Sequence, residues 1–332
     1  GLRRGLRLAP QKIRDLRNGI LRLPTGEVAP QAPRSGAFNN LAVFIRFSGE
    51  SEFTEAPSIY ANMLNASGAS DNSMYGYFRE ASYSALSIST SIYPTPSTTV
   101  ISYQDVQPRG YYQPYNEATN TIGYQGGNNG TERRDREHIL IKNAVAAIAS
   151  QVPAGLVIDG DGDGRVDNLT FVVYGSPTGW SSLLWPHQWS LYSQMAYING
   201  KRVYTYSLHL QSMLNVGVLC HEMFHCLGSP DLYHYTSNGI QPVGGWDVME
   251  NNRNPPQHMG AYMKWRYGTW IASIPEITTS GTYTLNPLTS SSGNCYKIRS
   301  PNSATEYFVV EYRRRTGTFE SSLPGEGLLV YR

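Results

Sequence analysis

Two histidines four residues apart bracket a glutamate in the run His221-Glu222-Met223-Phe224-His225-Cys226-Leu227-Gly228-Ser229-Pro230-Asp231. On a helix, positions four apart lie one turn apart on the same face, so both imidazoles can bind one divalent cation. Glu222 projects beside them, close enough to handle a water on that cation. Gly228 can take a positive φ that ends the helix and turns the chain back, which would bring Asp231 to a third ligand position. Glu250, 25 residues after His225, could instead complete the site from a second helix. Gly228 and the short return favour Asp231, and both alternatives stay open at this point.

Chance is a poor explanation of this run. In a chain of 332 residues with 7 His, His-Glu-x-x-His is expected at roughly 0.007 per sequence, and roughly 3 in 100,000 once Gly and Asp or His are required downstream. An amphipathic helix with incidental polar residues is therefore the weaker reading.

A second constellation lies upstream. Asp159, Asp161, Asp163 and Asp167 are interleaved with Gly160, Gly162 and Gly164. Unpaired, these carboxylates would repel one another just before a strand. Ca²⁺ would remove that cost, since it prefers several flexible oxygens, a backbone carbonyl included. Counted from Asp159, the acids fall at positions 1, 3, 5 and 9 of an EF-hand-type loop, with the Arg165 carbonyl at 7. No Glu stands at position 12, so the loop chemistry is expected without the EF-hand fold, its role structural. An acidic, solvated loop is the competing reading.

The elements that must position these groups read as α/β. Leu41 to Phe47 is a buried strand, and Leu169 to Tyr174 a central one. Aromatic residues recur at helical spacing near Ser73 to Tyr83, and Ala85 to Ile92 follows as a strand. Residues 103–130 read as loop. Thr131 opens an amphipathic helix with Ile139, Leu140, Val145, Ile148 and Val152 on its apolar side. The histidine helix is expected over Ser212 to Leu227, stopping at Gly228, and another over Pro256 to Tyr267. Beyond Ile274 come strand and turn signals at Thr282 to Leu285, Cys295 to Arg299, Glu306 to Tyr312 and Gly327 to Tyr331.

Composition narrows the classes. A net charge of +2 selects neither nucleic acid nor anionic lipid. The longest apolar runs are far below the ~18 residues of a membrane span, so no span is expected. Residues 1–34 hold eight Arg or Lys against Asp15 and Glu27, and residues 1–36 read as a basic leader, pro-segment or linker. Continuation beyond Arg332 is expected too. Cys220, Cys226 and Cys295 are expected as buried small apolar residues.

The string from His221 to Tyr233 resembles the active-site signature of the immune inhibitor A family, secreted zinc metallopeptidases of the metzincin group. Tyr77-Phe78-Arg79-Glu80-Ala81-Ser82-Tyr83 is similar to that family's stretch ahead of the catalytic core. Asp163-Gly164-Arg165-Val166-Asp167 and Trp185-Pro186-His187 are similar as well. Gly245-Trp246-Asp247-Val248-Met249 resembles its methionine turn, and Glu306 to Tyr312 with Leu323 to Leu329 its β-rich tail. The likeness covers about residues 40–332. Phe224 and Cys226 depart from the family's usual Gly and aliphatic residue, and neither position binds metal.

The resemblance implies a metzincin-like peptidase domain over 37–273, with a mixed sheet and an active-site helix, and a β-rich extension over 274–332. It implies His221, His225 and Asp231 as zinc ligands, Glu222 as general base and Met249 as a packed floor under the metal. It also favours calcium at Asp159, Asp161, Asp163, Arg165 and Asp167. A secreted, monomeric endopeptidase acting on protein or peptide is the expectation. A catalytically silent zinc- or calcium-stabilised adhesion module is the rival, and a zinc hydrolase of another bond the nearer one. Glu222 argues against the module, since a structural site needs no base. His187 is read as either a cleft residue facing an oxyanion or a His packed among aromatic neighbours. Tyr233 and Tyr262 are phenols of the same possible use.

Overall fold

The run from Leu41 to Phe47 is apolar on both alternating sets of residues because both faces of its strand are covered. That strand, β1 (Gly36–Arg46), lies inside a six-stranded sheet. The computed structural model describes residues 31–127, 130–234, 240–303 and 305–332. β1 pairs in parallel with β2 (Leu86–Tyr93), with the short β3 (Tyr103–Gln104) and with β4 (Leu169–Val173). β4 in turn pairs in parallel with β8 (Thr205–Leu210). β5 (His187–Ser190) closes the far edge of the sheet, antiparallel to β8. The protein is thus α/β with a mixed sheet. A two-stranded ribbon, β6 (Tyr197–Ile198) and β7 (Lys201–Arg202), stands apart from it.

Alternate residues of β1 feed two cores. Phe38, Ala42 and Phe44 pack in a cluster with α1 (Pro57–Asn65), α2 (Met74–Ala81) and α4 (Val216–Cys226). Leu41, Val43 and Ile45 pack with Leu140, Ile141, Val145 and Ile148 of α3 (Thr131–Ile148). Ile139, expected on that apolar side, is 43% exposed instead; it precedes Leu140 and Ile141, which take the core-facing positions. α1 begins with Pro57, whose fixed φ suits a first helical turn.

The histidine helix starts later than expected. Asn215 caps it, its side chain accepting the Val218 N–H at 3.1 Å, and Gln211–Met213 forms a separate tight turn. The helix expected over Pro256 to Tyr267 is confined to α5 (Ala261–Met263), which widens into a π-turn over Lys264–Gly268. Its intended first turn is drawn away: the His258 N–H donates to Glu320 and the Gly260 N–H to Asp247. Thr282 to Leu285 forms no strand. No described helix is long and apolar enough to cross a membrane. Cys220, Cys226 and Cys295 are free and buried.

Most of the stretch expected as leader, residues 1–30, lies outside the described residues. Its end is packed against α4. The Ala32 N–H donates to Cys226 O at 3.0 Å, and Arg34 Nε to Leu227 O at 3.0 Å. A second sheet, β9 (Cys295–Arg299), β10 (Tyr307–Arg313) and β11 (Gly327–Tyr331), is antiparallel in the order β11-β10-β9.

A fully buried arginine ties this sheet to the segment after α4. Arg313 donates to Glu320 at 2.7 and 2.8 Å, to Glu311 at 3.1 Å, and to the carbonyls of Trp246 and His258 at 2.8 and 3.2 Å. Removing it leaves two buried carboxylates without their cation. Arg313→Ala is therefore expected to cost about 3–5 kcal/mol of stability, read as a lower midpoint in urea unfolding. A change under about 1 kcal/mol, the scale of an exposed ion pair, would contradict the role given to this residue.

Candidate metal centre and active site

α4 is buried on nearly every side and ends in a Schellman turn. The Gly228 N–H donates to His225 O at 2.8 Å and the Ser229 N–H to Phe224 O at 3.1 Å. Gly228 takes φ +101°, a region open to glycine and closed to most side chains. The turn sends Ser229, Pro230 and Asp231 back past the last turn of the helix.

Two backbone carbonyls then orient the imidazoles. His221 Nδ1 lies 2.8 Å from Val248 O, and His225 Nδ1 lies 2.7 Å from Ser229 O. A carbonyl only accepts, so each Nδ1 carries a hydrogen and each Nε2 is turned inward as the nitrogen that can ligate. The three inward atoms form a nearly equilateral triangle. His221 Nε2 and His225 Nε2 are 3.2 Å apart, and Asp231 Oδ1 is 3.2 and 3.1 Å from them. Ligands of a tetrahedral cation with bonds of about 2.0–2.1 Å are spaced about 3.3 Å apart, so this triangle fits Zn²⁺ with modest relaxation. Two imidazole nitrogens and a carboxylate oxygen are also the donor set that zinc favours.

The electrostatics point the same way. Burial disfavours a charged His225, yet the hydrogen bond and charge of Asp231, with Glu222 and Ser229 O adding to them, push it up to about 9. The pocket thus holds excess negative potential that a proton or a metal can neutralise. Glu222 is buried beside His221. Tyr233 stacks on the His221 ring at 6.5 Å, tilted by 13°.

No protein-family model matches the chain, and the comparison with curated proteins finds no match either.

The segment after α4 packs in the same core cluster as that helix. Met249 is fully buried in the cluster that includes Met223 and Phe224. Its carbonyl accepts the Leu232 N–H at 3.0 Å, and its own N–H donates to Asp247 Oδ1 at 2.8 Å. Burial pushes the Asp247 carboxyl up to about 6, against the pull of the Gly260 and Met249 N–H groups. Glu250, the open alternative for the third ligand, is occupied elsewhere: its Oε2 accepts the Val243 and Gly244 N–H groups. The structure groups Asp231 with the two histidines, and Glu250 is not among them.

His187 has a polar partner at each ring nitrogen. Its Nε2 lies 2.8 Å from Glu137 of α3 and its Nδ1 2.6 Å from Trp185 O. Both nitrogens are engaged in these contacts. Burial disfavours its cation, but the Glu137 carboxylate beside it raises its pKa overall. Tyr206 donates to the same carboxylate oxygen at 2.6 Å.

The acidic loop is only partly as expected. Carboxylate oxygens of Asp159, Asp161 and Asp167 lie within 4.8 Å of one another. Asp163 falls outside that group, its Oδ1 accepting the Arg165 N–H at 2.8 Å. Nor are the acids unpaired: Lys201 of the β6–β7 ribbon donates to Asp159 Oδ2 at 2.6 Å. Asp159 Oδ1 is buried without a partner. Burial, followed by the charges of Asp161, Asp159 and Asp163, pushes Asp167 up to about 7 despite the Gly160 N–H it accepts. Arg165 Nε lies 3.7 Å from Asp163 Oδ2, so two cations face four carboxylates in this loop.

Sequence reasoning had no means of finding the Val248 and Ser229 carbonyls, because backbone acceptors carry no residue signature. Lys201 and Glu137 were equally hidden, each lying tens of residues from its partner.

Proposed function

We propose that the chain is a zinc-dependent endopeptidase of metzincin type, secreted, acting on protein or peptide substrates. The observation that carries the reading is the triangle of His221 Nε2, His225 Nε2 and Asp231 Oδ1 with a buried glutamate next to the first ligand. Zn²⁺ on three protein ligands keeps an open position, polarises a carbonyl and lowers the pKa of a water to about 7. Val248 O and Ser229 O hold the two imidazoles in the ligating tautomer. Glu222 takes a proton from the attacking water and hands it to the leaving amine. Secretion is supported by the family resemblance alone.

Chelation tests the reading. Casein cleavage is expected to disappear when zinc is stripped and to return on adding one equivalent back, because the attacking water and the scissile carbonyl would both be activated by the metal. Full cleavage by zinc-free protein would overturn it.

For the acidic loop we propose Ca²⁺ on Asp159, Asp161 and Asp167, with Lys201 as the group it must displace. Saturating Ca²⁺ at about 100 times its dissociation constant stabilises by about 2.7 kcal/mol, so the melting temperature of stripped protein should rise. Asp161→Asn should abolish that gain with zinc still bound. A melting curve unchanged across millimolar Ca²⁺ would remove calcium from the account.

A further inference from the structure

The carbonyls that orient the two imidazoles belong to peptide groups of different kinds. Ser229 O is part of the Ser229–Pro230 peptide, which has no N–H, so no hydrogen bond can steer that carbonyl from the far end of its peptide. Val248 O is part of the Val248–Met249 peptide, and both ends of that peptide are held. Its N–H, on Met249, donates to Asp247 Oδ1 at 2.8 Å, while Val248 O faces His221 Nδ1 at 2.8 Å. A trans peptide is planar, with its N–H and C=O pointing in opposite directions. Fixing the N–H therefore fixes the carbonyl, and with it the direction of the His221 ring.

Asp247 is buried and is itself anchored from the C-terminal sheet. Its Oδ2 accepts the Gly260 N–H at 2.7 Å, and the next N–H, that of Ala261, donates to Glu311 of β10 at 2.6 Å. Arg313 of the same strand donates to Trp246 O, one residue before Asp247, at 2.8 Å. β10 thus holds the two backbone segments between which the carboxylate is fixed. The negative charge has a path as well as a position. A carboxylate polarises the amide whose N–H it accepts, and a polarised carbonyl makes the imidazole that donates to it a better metal ligand.

We propose that Asp247 is a positioning residue for the metal centre, acting on His221 through the single Val248–Met249 peptide and anchored by β10. The proposal rests on the zinc site of the reading above and adds a carboxylate that lies outside the triangle. The C-terminal sheet then contributes to metal binding, although none of its residues belongs to the triangle. His225 has no counterpart to this relay, because proline follows the residue whose carbonyl it meets.

Zinc affinity, measured on folded protein by competition with a chromophoric chelator, tests it. Asp247→Ala should bind zinc about 10–100-fold more weakly, the range for losing an outer-shell partner of a ligand. Asp247→Asn should fall between that variant and wild type, because its amide oxygen can still accept the Met249 N–H but carries no charge. Should Asp247→Ala fail to fold, the Asn variant carries the test. Leu140→Ala opens a cavity in the core on the sheet face away from α4 and should leave affinity within about twofold of wild type, which separates positioning from lost stability. Zn²⁺ has a filled d shell and is silent in the visible. Co²⁺ in its place should give bands that Asp247→Ala alters and Leu140→Ala does not. Wild-type zinc affinity in the Asp247 variants, or an equal loss in Leu140→Ala, overturns the proposal and leaves the peptidase reading standing. Wild type that takes up no zinc overturns both.

Discussion

Glu222→Gln is expected to lower peptide hydrolysis by roughly 10²–10⁴-fold, the range for removing a general acid–base group. The amide has nearly the same shape as the carboxylate, so α4 should keep its packing. Neither Nε2 triangle member is touched, so zinc should stay at one equivalent. What is lost is the ability to take the water's proton and return it to the leaving amine. The variant must be compared per bound zinc, with wild type prepared the same way. Activity within tenfold of wild type would remove Glu222 from the chemistry and revive a mechanism in which the carboxylate only tunes the charge around His225.

Asp231→Ala is expected to lower zinc affinity and activity together. Outer-shell partners of metal ligands cost about 10–100-fold in affinity when removed, and a direct ligand should cost at least the upper end of that range. Glu250→Ala serves as the contrast. Its Oε2 accepts two N–H groups of the 243–244 turn, so the variant should lose stability but retain zinc. Metal analysis after dialysis against a competing chelator separates the two. Zinc lost in Glu250→Ala and kept in Asp231→Ala would mean that the triangle is not the ligand set.

What could be read in the sequence follows the distance over which each feature is encoded. His221, Glu222 and His225 are local, and helical geometry alone places them together. Gly228 signalled the chain reversal that carries Asp231, because a left-handed φ restricts residue type. β1 and β4 were visible as unbroken apolar runs because helices cover both sheet faces. β5 and β8 were not foreseen, although Tyr206, Leu208 and Leu210 alternate as a strand requires; polar residues between them weaken the apolar signal. Thr205, Ser207 and His209 are nonetheless buried, with Ser207 hydrogen-bonded to Thr170 of β4 and His209 to Ser207.

Long-range pairing accounts for the remaining differences. The partner of His187 is Glu137, 50 residues earlier on α3. The partner of Asp159 is Lys201, on a ribbon with no strong strand signal. Neither pairing has a sequence signature, yet each changes the chemistry expected of its residue. One ties a histidine to a buried carboxylate. The other gives an acidic loop an internal cation.

The most direct test of the account is whether hydrolysis depends on zinc and on Glu222. A susceptible peptide digested by zinc-loaded protein in ¹⁸O-labelled water should yield new carboxyl termini carrying the label, resolved by mass spectrometry, and Glu222→Gln at equal zinc content should yield almost none. Intact peptides after digestion by fully zinc-loaded wild type, across a broad library, would contradict the account.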